Sequence, residues 1–229
     1  NTGAMLAGAT VLLGLHEGVQ RATVAALLPT ADDPVVVVDS GATVDCSAKE
    51  LVGFAYLGTV YMRDMHGRPN PTVGLLNVGE EDEKGNAAVR EAFGLLGAAD
   101  GINFVGNIEG RDIVAGHPVH GRVDIVVCDG FTGNVALKLY ESMKAVLMQM
   151  LQKNAPQLLA SGELQPVFTV LDYSQYGGAP LLGVRGNCII CHGSSSANAI
   201  KNGIRVGLQT VRSGLSGHIG TMLASRAET

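Results

Sequence analysis

Val35, Val36, Val37 and Val38 are four β-branched residues in a row, preceded by Pro34 and stopped by Asp39, Ser40 and Gly41. A run that is apolar on both of its alternating faces must be covered on both sides, the condition of an inner strand in a parallel sheet. The arrangement recurs down the chain. Apolar runs at 73–76, 102–105, 125–127 and 188–191 end in the polar, glycine-bearing turns NVG, GN, DGFTG and HGSS. Helix-spaced residues alternate with them. Ser47 with Glu50 three positions on is a capping-box pattern, opening a helix that Leu51, Phe54, Ala55, Tyr61 and Met62 carry toward Gly67. Val89, Phe93 and Leu96, a long helix from about Val135 to Lys153, and the face Ile200, Ile204, Leu208, Val211 follow the same period. Thr2 to Leu15 is apolar nearly all round and predicts a buried helix capped by Asn1 or Thr2. The fold class implied is α/β with a mostly parallel sheet, whose strand C-termini share one edge where ligands bind.

Composition narrows the function. Hydrophobic residues make up 46% of the 229 positions, which is the composition of a globular chain. Tryptophan is absent, aromatics are scarce, and the net charge is -5 without a basic run, so nucleic acid is not the expected partner. No apolar segment has the length of a membrane span and no signal peptide is evident, which predicts a cytoplasmic protein. Four cysteines (Cys46, Cys128, Cys188, Cys191) then read as reduced thiols.

The familiar nucleotide signatures GxxxxGK[ST] and GxGxxG are missing between strand and helix, as is the GxSxG elbow. Cys188 to His192 matches the c-type haem attachment pattern in form. The β-branched run between the thiols and the glycine turn opened by His192 argue against haem, and no further ligands at metal spacing are evident, so no metal is predicted. His117 and His120 read either as half a metal site or as a solvated loop, and Cys128 as a nucleophile beside Asp129 or as a buried strand cysteine. Lys84, in EEDEKGN, is either part of a solvated charge cluster or a functional cation. The stretch 124–138, DIVVCDGFTGNVALK, reads as strand, turn and helix. Its N–H groups would face an anion, its glycines would let a ligand approach the main chain, and Asn134 taken alone is a helix cap. Anion-binding candidates on the converging turns are Asn77, Gly79, Asn86, Asn107, Asp129, Gly130, Thr132, Gly133, Gly193 and Ser194. Between 151 and 176, Leu158, Leu159, Leu164, Val167, Phe168 and Leu171 are interrupted by Gly162 and Pro166. That is a helical hairpin or projecting flap, whose surface is a dimer interface or core edge, or else meets a membrane or acyl chain.

NTGA, DSGATVDC, GLLNVGEEDEKGN, NFVGNIEGRD, VVCDGFTGNVALK, DYSQYGGAPLLG and HGSSSANAIKN, in that order over nearly the whole chain, resemble the bacterial phosphate acyltransferases that use acyl-acyl carrier protein. The resemblance implies a three-layer α/β/α fold related to phosphotransacetylases and isopropylmalate-type dehydrogenases, forming a single catalytic domain over 1–229. It implies transfer of a fatty acyl group to inorganic phosphate for phospholipid synthesis by a homodimer that touches the membrane peripherally, without a cofactor. The family's lysine falls on Lys84, its DGFTGN asparagine on Asn134, and its HGS turn on His192. The 151–176 flap, with Leu158, Leu159, Leu164, Val167, Phe168 and Leu171, corresponds to its membrane-contacting helices. Two departures are expected: the family's N-terminal portion is not represented, and AGHPVHGR is a small insertion. A phosphotransacetylase-like enzyme using acyl-CoA and a non-catalytic acyl-carrier or membrane scaffold are the alternatives.

Overall fold

The computed structural model describes residues 2–30, 32–116, 121–172 and 175–227, with the side chains of 225–227 excepted. His117 and His120, and with them half of the insertion (117–120), lie outside the described residues. A five-stranded sheet forms the centre, built from β2 (Ala26–Leu28), β3 (Val35–Val38), β4 (Thr72–Leu76), β5 (Asn103–Ile108) and β6 (Ile125–Val127) in the order β2-β3-β6-β4-β5. β2 runs antiparallel to β3, and the other neighbours are parallel. The valine run behaves as its composition demands. All four valines are fully buried, Val36 and Val38 packing on one face and Val35 and Val37 on the other.

The first face is covered by α2 (Ala48–His66), α3 (Ala87–Gly97) and α9 (Leu215–Ala227), with Phe54, Leu57, Leu96 and Ile219 in one core. The second face is covered by α5 (Gly130–Asn154) through Ala136, Leu137 and Tyr140. This gives three layers. α2 starts as its capping box predicts: Ser47 Oγ accepts from the Glu50 N–H while Glu50 Oε2 accepts from the Ser47 N–H at 2.8 Å, and Gly67 ends it in the left-handed region.

Four elements depart from expectation. α1 (Thr2–Leu12) is shorter than 2–15, and only Ala9 is buried, with Val11 and Leu12 81% and 84% exposed. Through Ala9 and Leu6 it joins a small core with Val24, Leu181 and Val184. β5 does not stop at Gly106 and Asn107 but continues to Ile108. The register slips by one residue there, and Gly106 takes φ 99°, which a strand absorbs as a glycine bulge. α5 begins five residues earlier than Val135, so Asn134 lies inside the helix and is not its cap. The 188–191 run yields only β8 (Ile189–Ile190). It pairs antiparallel with β7 (Ala179–Leu182) in a separate sheet, completed by β1 (Thr23–Val24) in the order β1-β7-β8. A run so short gains stability by pairing with an adjacent segment, and the HGSS turn therefore reaches the site from a second sheet.

The 151–176 region folds as α6 (Pro156–Ala160) and α7 (Gln165–Val170) against the end of α5. Leu158 and Val167 are exposed at 43% and 50%, Leu159, Leu164 and Leu171 are half-buried, and Phe168 is buried. Phe168, expected on the outer surface, thus faces inward. α8 (Ala197–Arg212) follows the HGSS turn and precedes α9.

Candidate active site

The parallel strands deliver the ends of β3, β6, β4 and β5 to one edge, with the β6 turn between those of β3 and β4. That order fixes which loops can meet. The 39–43 loop folds over Asp39, whose buried carboxylate accepts from Thr23 Oγ1, the Val24 N–H, the Ala42 N–H and the Thr43 N–H at 2.6–3.1 Å. Burial pushes its carboxyl above the usual range, against the pull of those hydrogen bonds. Thr43 O in turn accepts the Gly130 N–H at 2.7 Å. Asp129 is the α5 cap, accepting from the Thr132 N–H at 2.8 Å and from Thr132 Oγ1 at 2.9 Å, and Asp129 O takes the Gly133 N–H.

These bonds change what the DGFTG turn does. The N–H groups of Gly130, Thr132 and Gly133 are used within the chain, so the turn offers an anion less than its sequence suggests. The close main-chain approach that its glycines permit is made by the protein itself. A Cβ on Gly130 would meet Asp39 Oδ2 at 2.4 Å, and one on Gly133 would meet Asp39 O at 1.9 Å. Asp129, Gly130, Thr132 and Gly133 lock the start of α5 onto the end of β3.

What this lock positions is Asn134. Its side chain is exposed and lies over the β3 turn, so that a Cβ on Gly41 would stand 3.5 Å from Asn134 Oδ1. From there a cleft of about 240 Å³ opens between the two sheets, lined on α5 by Asn134, Leu137, Lys138 and Glu141, and across from it by Ser40, Tyr176 and His192. Ala26, Leu27 and Ile190 give it apolar wall beside these polar groups. His192 closes the far side in a tight turn. The Ser194 N–H points at His192 Nδ1 at 3.2 Å, with Ser194 Oγ 2.6 Å from the same nitrogen. The tautomer consistent with that bond carries its ring proton on Nε2, for which no acceptor occurs among the described residues. Gly193 and Ser194 shape this turn, and α8 begins just beyond it at Ser196, its cap.

Lys84 is on the same sheet edge but is not among the residues lining that cleft. Its loop after β4 is held by amides: Asn77 Nδ2 donates to Lys84 O at 3.1 Å, Asn107 Nδ2 to Glu81 O at 2.9 Å, and Asn86 caps α3 by accepting from the Val89 N–H. Gly79 packs against Glu81 and Lys84. Lys84 Nζ stands 3.9 Å from Glu81 Oε1, half exposed, so this pair adds little to stability. Asn107 Oδ1 is buried without a hydrogen-bond partner among the described residues, an acceptor beneath the same loop. Asn134 and His192 thus line one cleft, and Lys84 lies on the loop of the adjacent strand.

Cys128 is buried, its thiol pushed well above the usual range by burial, and Cys46 is raised by burial to about 12. Neither supplies a thiolate nucleophile at neutral pH. No cluster of three or more His, Cys, Asp or Glu at metal-binding geometry occurs among the described residues. Sequence reasoning missed Ser40, Lys138, Glu141 and Tyr176 in the cleft. Lys138 and Glu141, bonded to each other at 2.7 Å, follow Asn134 by four and seven positions, a helical spacing legible once α5 is placed.

The sequence pattern of the family described as "Fatty acid synthesis protein" matches residues 1–217. A "Phosphate acyltransferase" of Clostridium botulinum (strain ATCC 19397 / Type A) is 47% identical over 216 residues, covering 90% of this chain and 62% of that protein. One from Heliobacterium modesticaldum is 44% identical over 220 residues, covering 93% and 64%. The chain thus spans somewhat less than two thirds of the length of these relatives. Among solved structures, a phosphotransacetylase from Streptococcus pyogenes superposes with TM-score 0.60 at 18% identity, covering 93% of this chain and 60% of that one. An EutD phosphotransacetylase from Staphylococcus aureus does so at 0.56 and 13%, covering 88% and 58%. Likeness at that identity concerns the fold.

Proposed function

Because this chain belongs to the fatty acid synthesis protein family, we propose that it is the catalytic part of an acyltransferase that moves a fatty acyl group from acyl-acyl carrier protein to inorganic phosphate. The observation that carries this reading is the cleft holding an Asn134 amide and a His192 Nε2–H between apolar walls. The relatives' printed name, phosphate acyltransferase, supports the same reaction. A phosphate oxygen attacks the thioester carbonyl carbon, negative charge collects on the carbonyl oxygen, and the C–S bond then breaks as the carrier thiolate leaves. A donor aimed at the developing oxyanion is the group such a step most needs, and in this reading the side-chain N–H of Asn134, on the cleft lining, supplies it. The His192 Nε2–H is the second donor, toward phosphate or the departing sulfur. A thiol of pKa ~8.5 leaves without strong acid help, so His192 is the less critical of the two. Lys84 on the adjacent loop supplies positive charge for the phosphate, with Asn77, Asn86 and Asn107 holding that loop in place.

The fold shared with phosphotransacetylases favours one second reading, a small-thioester enzyme that uses acyl-CoA. The two separate on the donor. In the complete protein, phosphate-dependent release of free thiol is expected from palmitoyl-acyl carrier protein at a kcat/KM at least tenfold above that from palmitoyl-CoA. Preference for the CoA ester would establish the second reading, and release that ignores phosphate would exclude both.

The proposed protein is cytoplasmic, a homodimer, and a peripheral membrane contact made through the α6–α7 hairpin. Support for the last comes from Leu158 on α6 and Val167 and Val170 on α7, which are 43–50% exposed. Among the described residues no helix is long and apolar enough to cross a bilayer. Replacing Leu158 and Val167 together by Glu is expected to reduce co-sedimentation with anionic liposomes at least fivefold while leaving the circular dichroism spectrum unchanged. Unaltered co-sedimentation would remove the hairpin as the contact.

A further inference from the structure

Asp39 stands at the joint between the two sheets. It is fully buried just beyond β3 and is not among the residues lining the cleft, so a substrate bound there does not touch it. Its two carboxylate oxygens serve different partners. Oδ1 accepts from Thr23 Oγ1 at 3.1 Å and from the Val24 N–H at 3.0 Å, both on β1. Oδ2 accepts from the Ala42 N–H at 2.9 Å and the Thr43 N–H at 2.6 Å, in the loop that follows β3.

Each oxygen leads to one wall of the cleft. On the Oδ1 side, β1 pairs with β7, β7 pairs with β8, and His192 follows β8 directly after Cys191. Val24 is held by both of its main-chain groups. Its N–H is given to Asp39 Oδ1, and its carbonyl accepts the Ser40 N–H at 3.1 Å and Ser40 Oγ at 2.8 Å. The edge of β1 that faces away from β7 is thereby docked on the 39–40 turn. On the Oδ2 side, Thr43 O accepts the Gly130 N–H at 2.7 Å, and a Cβ on Gly130 would stand 2.4 Å from Oδ2 itself. The first residue of α5 therefore rests against this oxygen, and Asn134 lies one turn further along the helix.

Four donors arriving from two directions need two acceptor oxygens held in one plane. A hydroxyl side chain has one oxygen, and an amide replaces one acceptor by a donor. Space filling alone does not call for a carboxylate here, because burial opposes the charged form and a neutral side chain would occupy the volume at lower cost.

We infer that Asp39 is a positioning residue for acyl transfer, its carboxylate bridging the two sheets so that the Asn134 amide and the His192 ring face one thioester across the cleft. This rests on the acyl-transfer reading given above and adds to it the group that sets the two donors relative to each other.

The test is a double-mutant cycle in the complete protein, read as phosphate-dependent thiol release from palmitoyl-acyl carrier protein. Asp39→Asn keeps the shape but turns an N–H toward one of the two donor pairs. It is expected to lower kcat/KM at least thirtyfold in the otherwise unmutated protein and no more than threefold in Asn134→Ala, where the group being positioned is already gone. A residue that only stabilises the fold lowers activity by the same factor in both backgrounds, and that result overturns the proposal. Should Asp39→Asn not fold, Thr23→Val removes only the hydroxyl bond to Oδ1 at nearly constant volume. The expected losses are then at least fivefold and less than twofold, and equal losses again overturn it. If the unmutated protein releases no phosphate-dependent thiol, the acyl-transfer reading fails, and the bridge is judged by hydrogen exchange of Thr23→Val. Peptides spanning 22–28 and 40–45 should both exchange at least tenfold faster while 72–76 is unchanged, and exchange unaltered in the 40–45 peptide overturns the coupling of the two sheets through Asp39.

Discussion

Asn134→Ala is expected to lower kcat for acyl-phosphate formation by about 10²–10³-fold, the usual loss when one oxyanion donor is removed, or roughly 3–4 kcal/mol of transition-state stabilisation. The KM for the acyl donor should change little, because in the proposed role the amide acts on charge that exists only as phosphate attacks. Nor should the fold suffer. Asn134 is exposed and sits one turn inside α5, whose cap is Asp129, so the substitution removes no capping bond and replaces a weak helix former with the best one. Had Asn134 been the cap, the same change would have cost about 1 kcal/mol of stability. The two roles therefore separate in one pair of measurements: phosphate-dependent thiol release and thermal unfolding. Near-normal turnover in Asn134→Ala would remove the donor role. A fallen melting temperature with proportionate loss of activity would mean that its contribution is structural. Asn134→Asp keeps the shape but trades the donor for an acceptor facing the nascent oxyanion, and is expected to be at least as inactive.

The elements that could be read from the chain were those whose signals are local. Val35–Val38 carries its two buried faces in its own composition, and Ser47 with Glu50 defines the start of α2 through groups three residues apart. The turn after β6 was also visible, but not its partner. The atoms that Gly130 and Gly133 make room for belong to Asp39, some ninety residues earlier, and nothing near 130 announces them. Free N–H groups at a helix start are an inference from the absence of local partners. Here the partner is Thr43 O, supplied by the neighbouring strand's loop. β5 passed through Gly106 for a related reason: a glycine that ends a strand and one that bulges it have the same letter, and the pairing of β4 with β5 decides between them. The HGSS turn was correctly expected to follow an apolar run, but the sheet to which that run belongs depends on β7 as its partner. In the site, Asn134 and His192 share a cleft because two different sheets deliver them. Lys138 and Glu141 escaped notice, although the helix expected from Val135 to Lys153 contained them, because its inner stripe is set by its true start at the Asp129 cap and by the second sheet it faces.

Gly133→Ala should be the most disruptive single methyl that can be added at the C-terminal edge of the central sheet. A Cβ at that position would stand 1.9 Å from Asp39 O and 3.0 Å from Cys128 Sγ. The first of these is main chain at the end of β3, already committed: Cys128 Sγ donates to it at 3.5 Å, and the Asp39 N–H is bonded to Cys128 O at 3.0 Å. It cannot turn away as a side chain would, so α5 must lift from the sheet or the β3 turn must move. Adding alanine to a helix interior ordinarily stabilises by about 1 kcal/mol. Overpacking a rigid site costs about 1–3 kcal/mol and occasionally more, and contact with a fixed backbone oxygen belongs at the upper end. The expected net loss of about 2–3 kcal/mol lowers the melting temperature by roughly 4–12 °C in a chain of this size, at about 2–4 °C per kcal/mol. Gly94→Ala is the internal comparison. It too lies within a helix, α3, but its added Cβ meets nothing within 4 Å, so stability should rise by up to about 1 kcal/mol. Opposite signs from the same chemical change would tie the glycine at 133 to the approach of α5 to β3. Equal, small effects would mean that the helix start yields easily, and that the position of Asn134 depends on the Asp129 cap and the Gly130–Thr43 bond alone.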